Sequence, residues 1–199
     1  MNPDKWSPEQ SRWINYYEKT RDAKIPAIIL KALEFVTQKD KAIDIGAGSL
    51  RDTRFLIEQG FHVTALDSSY LLPKEAEGLP EDKLDLANCL FEDFDFPENK
   101  YDFVVSILSL FFIKPENFDT VFKNIKTSLK KGGILCVSFS GKNSTIANIN
   151  NGSTHTRDEI EEMLTGMEII TFKETDTEEI LVNGQPVNKH VFSVIAKKL

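Results

Sequence analysis

Apolar residues in this chain fall into short unbroken runs separated by stretches with helical spacing. Ala42 to Ile45, Phe61 to Leu66, Leu86 to Phe91, Tyr101 to Leu108 and Ile134 to Phe139 each read as a strand. Runs without a polar interruption suit parallel strands covered on both faces. Between them the spacing predicts helices through Phe55 to Gln59, over about Leu71 to Glu77, and over Asn117 to Leu129. Gly60 stops the first of these. Lys130-Lys131-Gly132-Gly133 reads as a basic last turn and C-cap glycine closing the third. Two helices precede the first strand. Ser7-Pro8-Glu9 is a helix start, with Ser as N-cap and Pro at the first helical position. The helix it opens carries Trp13, Ile14, Tyr16 and Tyr17; a second, Pro26 to Val36, places Ile29, Leu30, Leu33 and Val36 on one face.

Alternating strands and helices imply right-handed crossovers and a doubly wound α/β sheet. The end of the chain breaks that rhythm. Thr156-Arg157-Asp158-Glu159 is a capping box opening a helix to about Leu164. Met167 to Lys173 and Val191 to Lys197 then read as strands, and Asn183-Gly184 between them is a strong hairpin signal. The expected sheet therefore has about seven strands, mostly parallel, with an antiparallel C-terminal hairpin. No repeat or Pro/Gly-rich linker divides the chain, so residues 1–199 are expected to form a single domain.

Composition narrows the partners. Lys and Arg number 24 against 31 Asp and Glu, a net charge of −7, which repels phosphate backbones and argues against nucleic acid as a partner. Lys123, Lys126, Lys130 and Lys131 read as the solvated face and last turn of a helix rather than a basic patch. Cys89 and Cys136 sit in apolar runs without metal-ligand spacing and read as buried reduced thiols. No metal site is expected. No signal core or membrane-length segment is visible, so no membrane partner and a cytoplasmic location are expected.

Asp44-Ile45-Gly46-Ala47-Gly48 stands where the first strand turns into a helix. Glycines there let the backbone approach a ligand, and the helix start offers unpaired N–H groups. A dinucleotide site needs a small residue where Arg51 stands. Asp44 would repel a pyrophosphate and attract a cation. The loop thus suits a cationic, phosphate-free ligand. Asp67, ending the second strand 23 residues after Asp44, stands where a carboxylate would accept ribose hydroxyl bonds. Glu92-Asp93-Phe94 adds an acid beside an aromatic after the third, suited to adenine.

With these motifs on the page, the chain resembles the class I S-adenosylmethionine-dependent methyltransferases. The resemblance spans about Tyr16 to Lys198. It rests on DIGAG at 44–48, VTALD at 63–67, FEDFDFP at 91–97, YDFVVS at 101–106 and LKKGGILCVSF at 129–139. Arg51-Asp52, EQGFHVTALDSS at 58–69 and HVFSVIAKK at 190–198 are similar to the tellurite-resistance branch of small methyltransferases.

The resemblance implies a Rossmann-like core over residues 41–199, with residues 1–40 as a helical cap over the cofactor site. It implies S-adenosyl-L-methionine as cofactor. Asp44, Gly46 and Gly48, with Ala47 between them, would hold the methionine part, and Asp67 with Ser68 the ribose. Asp93 and the Phe94 backbone would hold the adenine, and Ser106 would lie beneath the methionine part. Tyr17 and Arg51 would cap the pocket or meet the cofactor carboxylate. Where the family pattern has a third glycine, this chain has Leu50.

A sulfonium leaving group is already activated, so positioning and desolvation supply much of the catalysis. The sequence names no catalytic residue. His155 and His190 are the titratable candidates for a base, each read first as a loop or strand-end surface residue. The expected acceptor is a small molecule, a thiol or a metalloid oxyanion, on a monomer or homodimer. The alternatives are a nicotinamide-dependent oxidoreductase and a non-catalytic cofactor-binding module.

Overall fold

A computed structural model describes residues 8–180 and 186–199, without the side chains of residues 8–12 and 149. Two helices lead, α1 (Pro8–Thr20) and α2 (Ala27–Leu33). An alternating series follows: β1 (Lys41–Ile45), α3 (Arg51–Glu58), β2 (His62–Leu66), α4 (Leu72–Glu75), β3 (Leu84–Ala87), β4 (Tyr101–Ser106), α5 (Pro115–Ser128) and β5 (Leu129–Ser140). α6 (Thr145–Ile149), α7 (Arg157–Met163), β6 (Met167–Ile180) and β7 (Pro186–Lys198) close the chain. One seven-stranded sheet runs in the order β3-β2-β1-β4-β5-β7-β6. The first five strands are parallel; β7 pairs antiparallel with both β5 and β6. Ser7 and the Asn183-Gly184 turn lie outside the described residues.

Strand polarity explains the two cores. Ala42, Phe103, Val105, Ile134 and Cys136 face one side, under Ile29 and Ala32 of α2 and Leu56 of α3. Ile43, Ile45, Val104, Leu135 and Val137 face the other, under Phe118, Phe122 and Ile125 of α5 and Ile160 of α7. Each central strand therefore buries both of its faces, which is why its apolar run shows no alternation. Order reverses between β1 and β4, which opens a crevice at their carboxyl ends.

Several elements differ from the expected ones. β3 covers Leu84–Ala87, and the run expected from Leu86 to Phe91 leaves the sheet after Ala87: Leu90 is exposed, and Phe91–Asp93 form a 3-10 turn. Cys89 therefore lies in a loop, half-buried, while Cys136 is fully buried in β5. β4 stops at Ser106 because Leu108 takes a left-handed φ of 56°. α5 ends at Ser128 without a C-cap glycine, since Leu129 is already extended (φ −69°, ψ 140°) and pairs with Tyr101. Gly132 (φ 80°) instead serves the irregularity between the Tyr101–Leu129 and Phe103–Ile134 pairings. Lys130 is held by Asp102 at 2.9 Å, so it belongs to an ion pair rather than a solvated stripe. α2 is shorter than expected and leaves Leu30 exposed. The capping box at Thr156 and Glu159 forms with both of its bonds. Among the described residues no helix is long and apolar enough to cross a membrane.

Candidate functional site

The loop after β1 is built around backbone that side chains resist. Gly46 and Gly48 both have positive φ, 77° and 51°. A Cβ on Gly46 would lie 2.3 Å from the Ser109 Cβ, so the loop after β4 closes directly over that glycine. Ser109 and Ser106 hydroxyls lie 2.6 Å apart, and both reach the Ile45 carbonyl, at 2.7 and 3.0 Å. Ser106 thus tethers the end of β4 to the end of β1.

Leu50 occupies the position expected to depart from a glycine pattern. It takes the left-handed conformation itself (φ 59°, ψ 23°) as N-cap of α3. That conformation costs a non-glycine residue about 1–2 kcal/mol. Burial offsets it: Leu50 is fully buried against Ala47, Ala65 and Leu72, a gain of about 1.5–3 kcal/mol. The turn keeps its shape without the third glycine.

Asp44 is 3% exposed and its Oδ2 accepts from the Thr53 hydroxyl at 2.7 Å. Burial, and then the nearby Asp52 carboxylate, push its carboxyl up to about 8. Asp52 is itself committed to Arg51, whose guanidinium grips it at 2.7 and 2.9 Å. Arg51 therefore faces its sequence neighbour rather than Asp44. The result is a buried acid that lacks an ion-pair partner among the described residues.

Asp67 is arranged differently. Its Oδ2 accepts from the Gly48 N–H at 2.8 Å, and its Oδ1 from the Ser69 N–H at 2.8 Å and the Tyr17 hydroxyl at 3.5 Å. It locks the glycine loop to the end of β2. Tyr17 is buried, and its ring lies against Gly48: a Cβ there would stand 3.7 Å from it. Burial and the Asp67 charge raise the Tyr17 phenol pKa. The Thr20 and Ser49 hydroxyls, 3.0 Å apart, add a second tie from α1 to this loop.

Asp44, Gly46, Ala47, Gly48, Asp67, Tyr17, Arg51 and Ser106 are thus brought to one crevice, or to the helix start and strand ends that bound it. Ser68 is exposed beside Asp67. Asp93 is exposed in the turn after β3, and Phe94 packs edge-on against Phe96 at 4.8 Å. Phe91 reaches back toward the loop, with Cζ 3.5 Å from where a Gly46 Cβ would be. Thr53, Asp52, Ser109 and Phe91 were not expected. Thr53 and Asp52 sit in the first turn of α3, the turn that faces the strand end, and this was the signal available for them.

Residues 43–137 match the family model of a methyltransferase domain. The match takes in just under half of the chain, from β1 into β5. The fold is similar to that of TehB from Haemophilus influenzae, with a TM-score of 0.74 at 20% identity over 94% of this chain and 67% of that one. It is also similar to a methyltransferase from Methanosarcina mazei (TM-score 0.65, 22% identity, 89% of this chain and 99% of that one). A third similar structure is the 1,6-didemethyltoxoflavin-N1-methyltransferase of Burkholderia thailandensis, with 1,6-didemethyltoxoflavin and S-adenosylhomocysteine bound (TM-score 0.63, 19% identity, 100% and 93%). No curated protein matches the sequence.

Of the two candidate histidines, His155 keeps its place in the loop before α7, whereas His190 leaves the surface. His155 is half-buried against Phe118 and Phe139, with ring centroids at 4.2 and 5.9 Å. Burial, and then Lys142, lower its pKa to about 4, so it is neutral at pH 7. His190 was expected at the surface but is 8% exposed, because it faces Gly141, a position where a Cβ would meet the imidazole at 2.3 Å. Its Nε2 lies 3.0 Å from Glu174, and its Nδ1 accepts from the Asn143 N–H at 3.3 Å. Both ring nitrogens are engaged, and His190 pins the closing hairpin to the loop after β5.

Proposed function

We propose that this chain is an S-adenosyl-L-methionine-dependent methyltransferase that transfers a methyl group to a small acceptor carrying a soft nucleophile, a thiol or a metalloid oxyanion. Asp44 carries the reading. A buried carboxylate held below a cradle of two positive-φ glycines, without a cation of its own, suits the ammonium of the cofactor's methionine part. A pyrophosphate in the same place would push that carboxyl further toward its neutral form and gain no ion pair from it. The backbone of Gly46, Ala47 and Gly48 would line the methionine part, with Ser106 below. Asp67 and Ser68 would hold the ribose, and Asp93 with the Phe94 backbone the adenine. Tyr17 would close the pocket from α1, so that residues 1–40 act as its cap over the core at 41–199, all one domain. Arg51 would steer Asp52 and the cofactor carboxylate.

When bound, the cofactor supplies a methyl group on a sulfonium, an electrophile that needs no further activation. The chain's own part is to orient it, exclude water and leave the acceptor side open. A surface of net charge −7 suits a small-molecule substrate rather than nucleic acid or an anionic membrane. Location in the cytoplasm, as a monomer or homodimer, completes the reading.

Calorimetric titration tests it. S-adenosylhomocysteine is expected to bind and NAD to give no heat; the reverse result removes the proposal.

A further inference from the structure

Resting on that reading, the geometry points to a more specific acceptor: we infer that the substrate is an apolar thiol, seated on an aromatic wall formed by Trp13, Tyr16 and Phe112, and not an oxyanion. The wall stands beside the cofactor loop. Tyr17 touches Gly48, and Trp13 packs on Tyr17 with ring centroids 6.5 Å apart. Trp13 then bridges to Tyr16 at 5.9 Å and to Phe112 at 5.7 Å. Phe112 belongs to the turn after β4, the same segment whose Ser109 closes over Gly46. The two elements that border the crevice, α1 and the loop after β4, are therefore joined by aromatic rings. Two of those rings are largely open to solvent: Tyr16 is 49% and Phe112 41% exposed, and Leu108 in the same loop is 43% exposed. Exposed large apolar groups clustered at a crevice mark a place for an apolar ligand.

Charge at the wall argues in the same direction. The groups acting on the Tyr16 phenol are one guanidinium, Arg51, against two carboxylates, Asp52 and Asp67. Arg51 is already bound two-pronged to Asp52. Farther along α1 and α3, Arg21 and Arg54 are held by Glu75, at 2.6 and 3.8 Å. An oxyanion brought beside Tyr16 meets two carboxylates, and the one guanidinium among them is already committed to Asp52. An alcohol or amine acceptor would want a base. His155 is shielded by Phe118 and Phe139 and, with its pKa lowered to about 4 by burial, is a poor proton acceptor, and His190 has both nitrogens engaged. A thiol needs neither. Its proton leaves to solvent, its sulfur lone pair forms the new bond to the methyl carbon, and the old carbon–sulfur bond pair stays with the donor sulfur. The products are a neutral methyl thioether and S-adenosylhomocysteine.

The test has a binding arm and a turnover arm, both run on protein first shown to bind S-adenosylhomocysteine. Failure at that first step would remove the function proposed above, and leaves the acceptor question behind it. With S-adenosylhomocysteine bound, thioanisole, a product of the proposed class, is expected to show saturation-transfer NMR contacts to aromatic protons. Phe112→Ala and Trp13→Ala are each expected to weaken it about tenfold, while Phe112→Leu, which keeps an apolar side chain, recovers most of the loss. Affinity for S-adenosylhomocysteine is expected to stay within about twofold in the Phe112 variants, which separates wall from cofactor pocket and from misfolding. In turnover, kcat/KM is expected to rise about threefold per methylene from ethanethiol to pentanethiol. Selenite or tellurite methylated faster than every thiol, a flat thiol series, no thiol turnover by cofactor-binding protein, or thioanisole binding indifferent to Phe112→Ala would each overturn the inference.

Discussion

The ends of β1 and β2 lie side by side in the sheet and each presents an aspartate to the same crevice, yet the two carboxylates live in opposite conditions. Asp44 is stripped of water, has one hydroxyl donor, and is pushed up toward the protonated form by burial and by Asp52. Asp67 is half-buried and supplied with two backbone N–H donors and a phenol. One is a buried acid that charges at a cost to the fold; the other is a clamp that ties the glycine loop to the end of β2. Residue type and position in the chain are shared, so environment alone makes the difference.

The largest expected effect separates them by the sign of the stability change. Asp44→Asn keeps the shape and an acceptor for Thr53 but removes the charge. It is expected to weaken S-adenosylhomocysteine binding by about 3 kcal/mol, in the range for truncating one partner of a buried charge pair. The same substitution is expected to raise the melting temperature of the free protein at pH 8. Asp67→Ala is expected to weaken binding by about 1–3 kcal/mol and to lower the melting temperature, because the Gly48 and Ser69 N–H groups lose a charged acceptor. Calorimetry and thermal melts on the two variants check both halves. If Asp44→Asn and Asp67→Ala shift stability in the same direction, the contrast between them is wrong.

A proton sharpens the comparison further. Asp44 has a folded-state pKa of about 8, raised from an ordinary value of 3.8. A raised acid pKa means the folded state holds the proton longer than the unfolded chain. Its contribution to stability is fully present below the unfolded pKa and is lost as pH rises through the folded one. The free protein is therefore expected to lose stability at this site between about pH 4 and 8, and Asp44→Asn to flatten that slope. Binding runs the other way. An ammonium pairs with the ionised carboxylate, so affinity for S-adenosylhomocysteine is expected to climb from pH 5.5 to 7.5, by at most about tenfold per unit. Affinity that is flat or falls over that window in the native protein would place the ammonium elsewhere.

Much of this arrangement was legible in the chain. Both aspartates sit at the ends of apolar runs, and a run buried on both faces delivers its C-terminal residue to the crevice wherever strand order reverses. The capping box at Thr156 and the antiparallel close were readable because their signals are local. What was not legible depended on partners far away in sequence. Phe91 looks like the end of a strand, but its ring is used over Gly46 rather than in the sheet. Lys130 looks like a helix C-terminus, and only the fold brings Asp102 to it. His190 looks like a surface residue until Gly141 makes room for its ring. Leu50 is the subtlest case: a left-handed leucine is readable as a departure, but the neighbours that bury it come from β2 and α4.

The smallest expected effect asks which part of Tyr17 serves the crevice. Its hydroxyl stands 3.5 Å from Asp67, at the outer limit of a useful hydrogen bond, and Asp67 already has two better donors. Its ring, by contrast, lies against Gly48 and meets Trp13. Removing the hydroxyl in Tyr17→Phe therefore discards a weak third bond and keeps the contact. S-adenosylhomocysteine affinity is expected to change by less than about twofold and stability by about 0.5 kcal/mol. Tyr17→Ala removes the ring and is expected to cost about tenfold in affinity, since the Thr20–Ser49 hydroxyl pair is then left as the tie described between α1 and the glycine loop. A Tyr17→Phe loss as large as that of Tyr17→Ala would mean that the phenol, not the ring, closes the site, and that the clamp at β2 depends on α1 as much as on its own backbone donors.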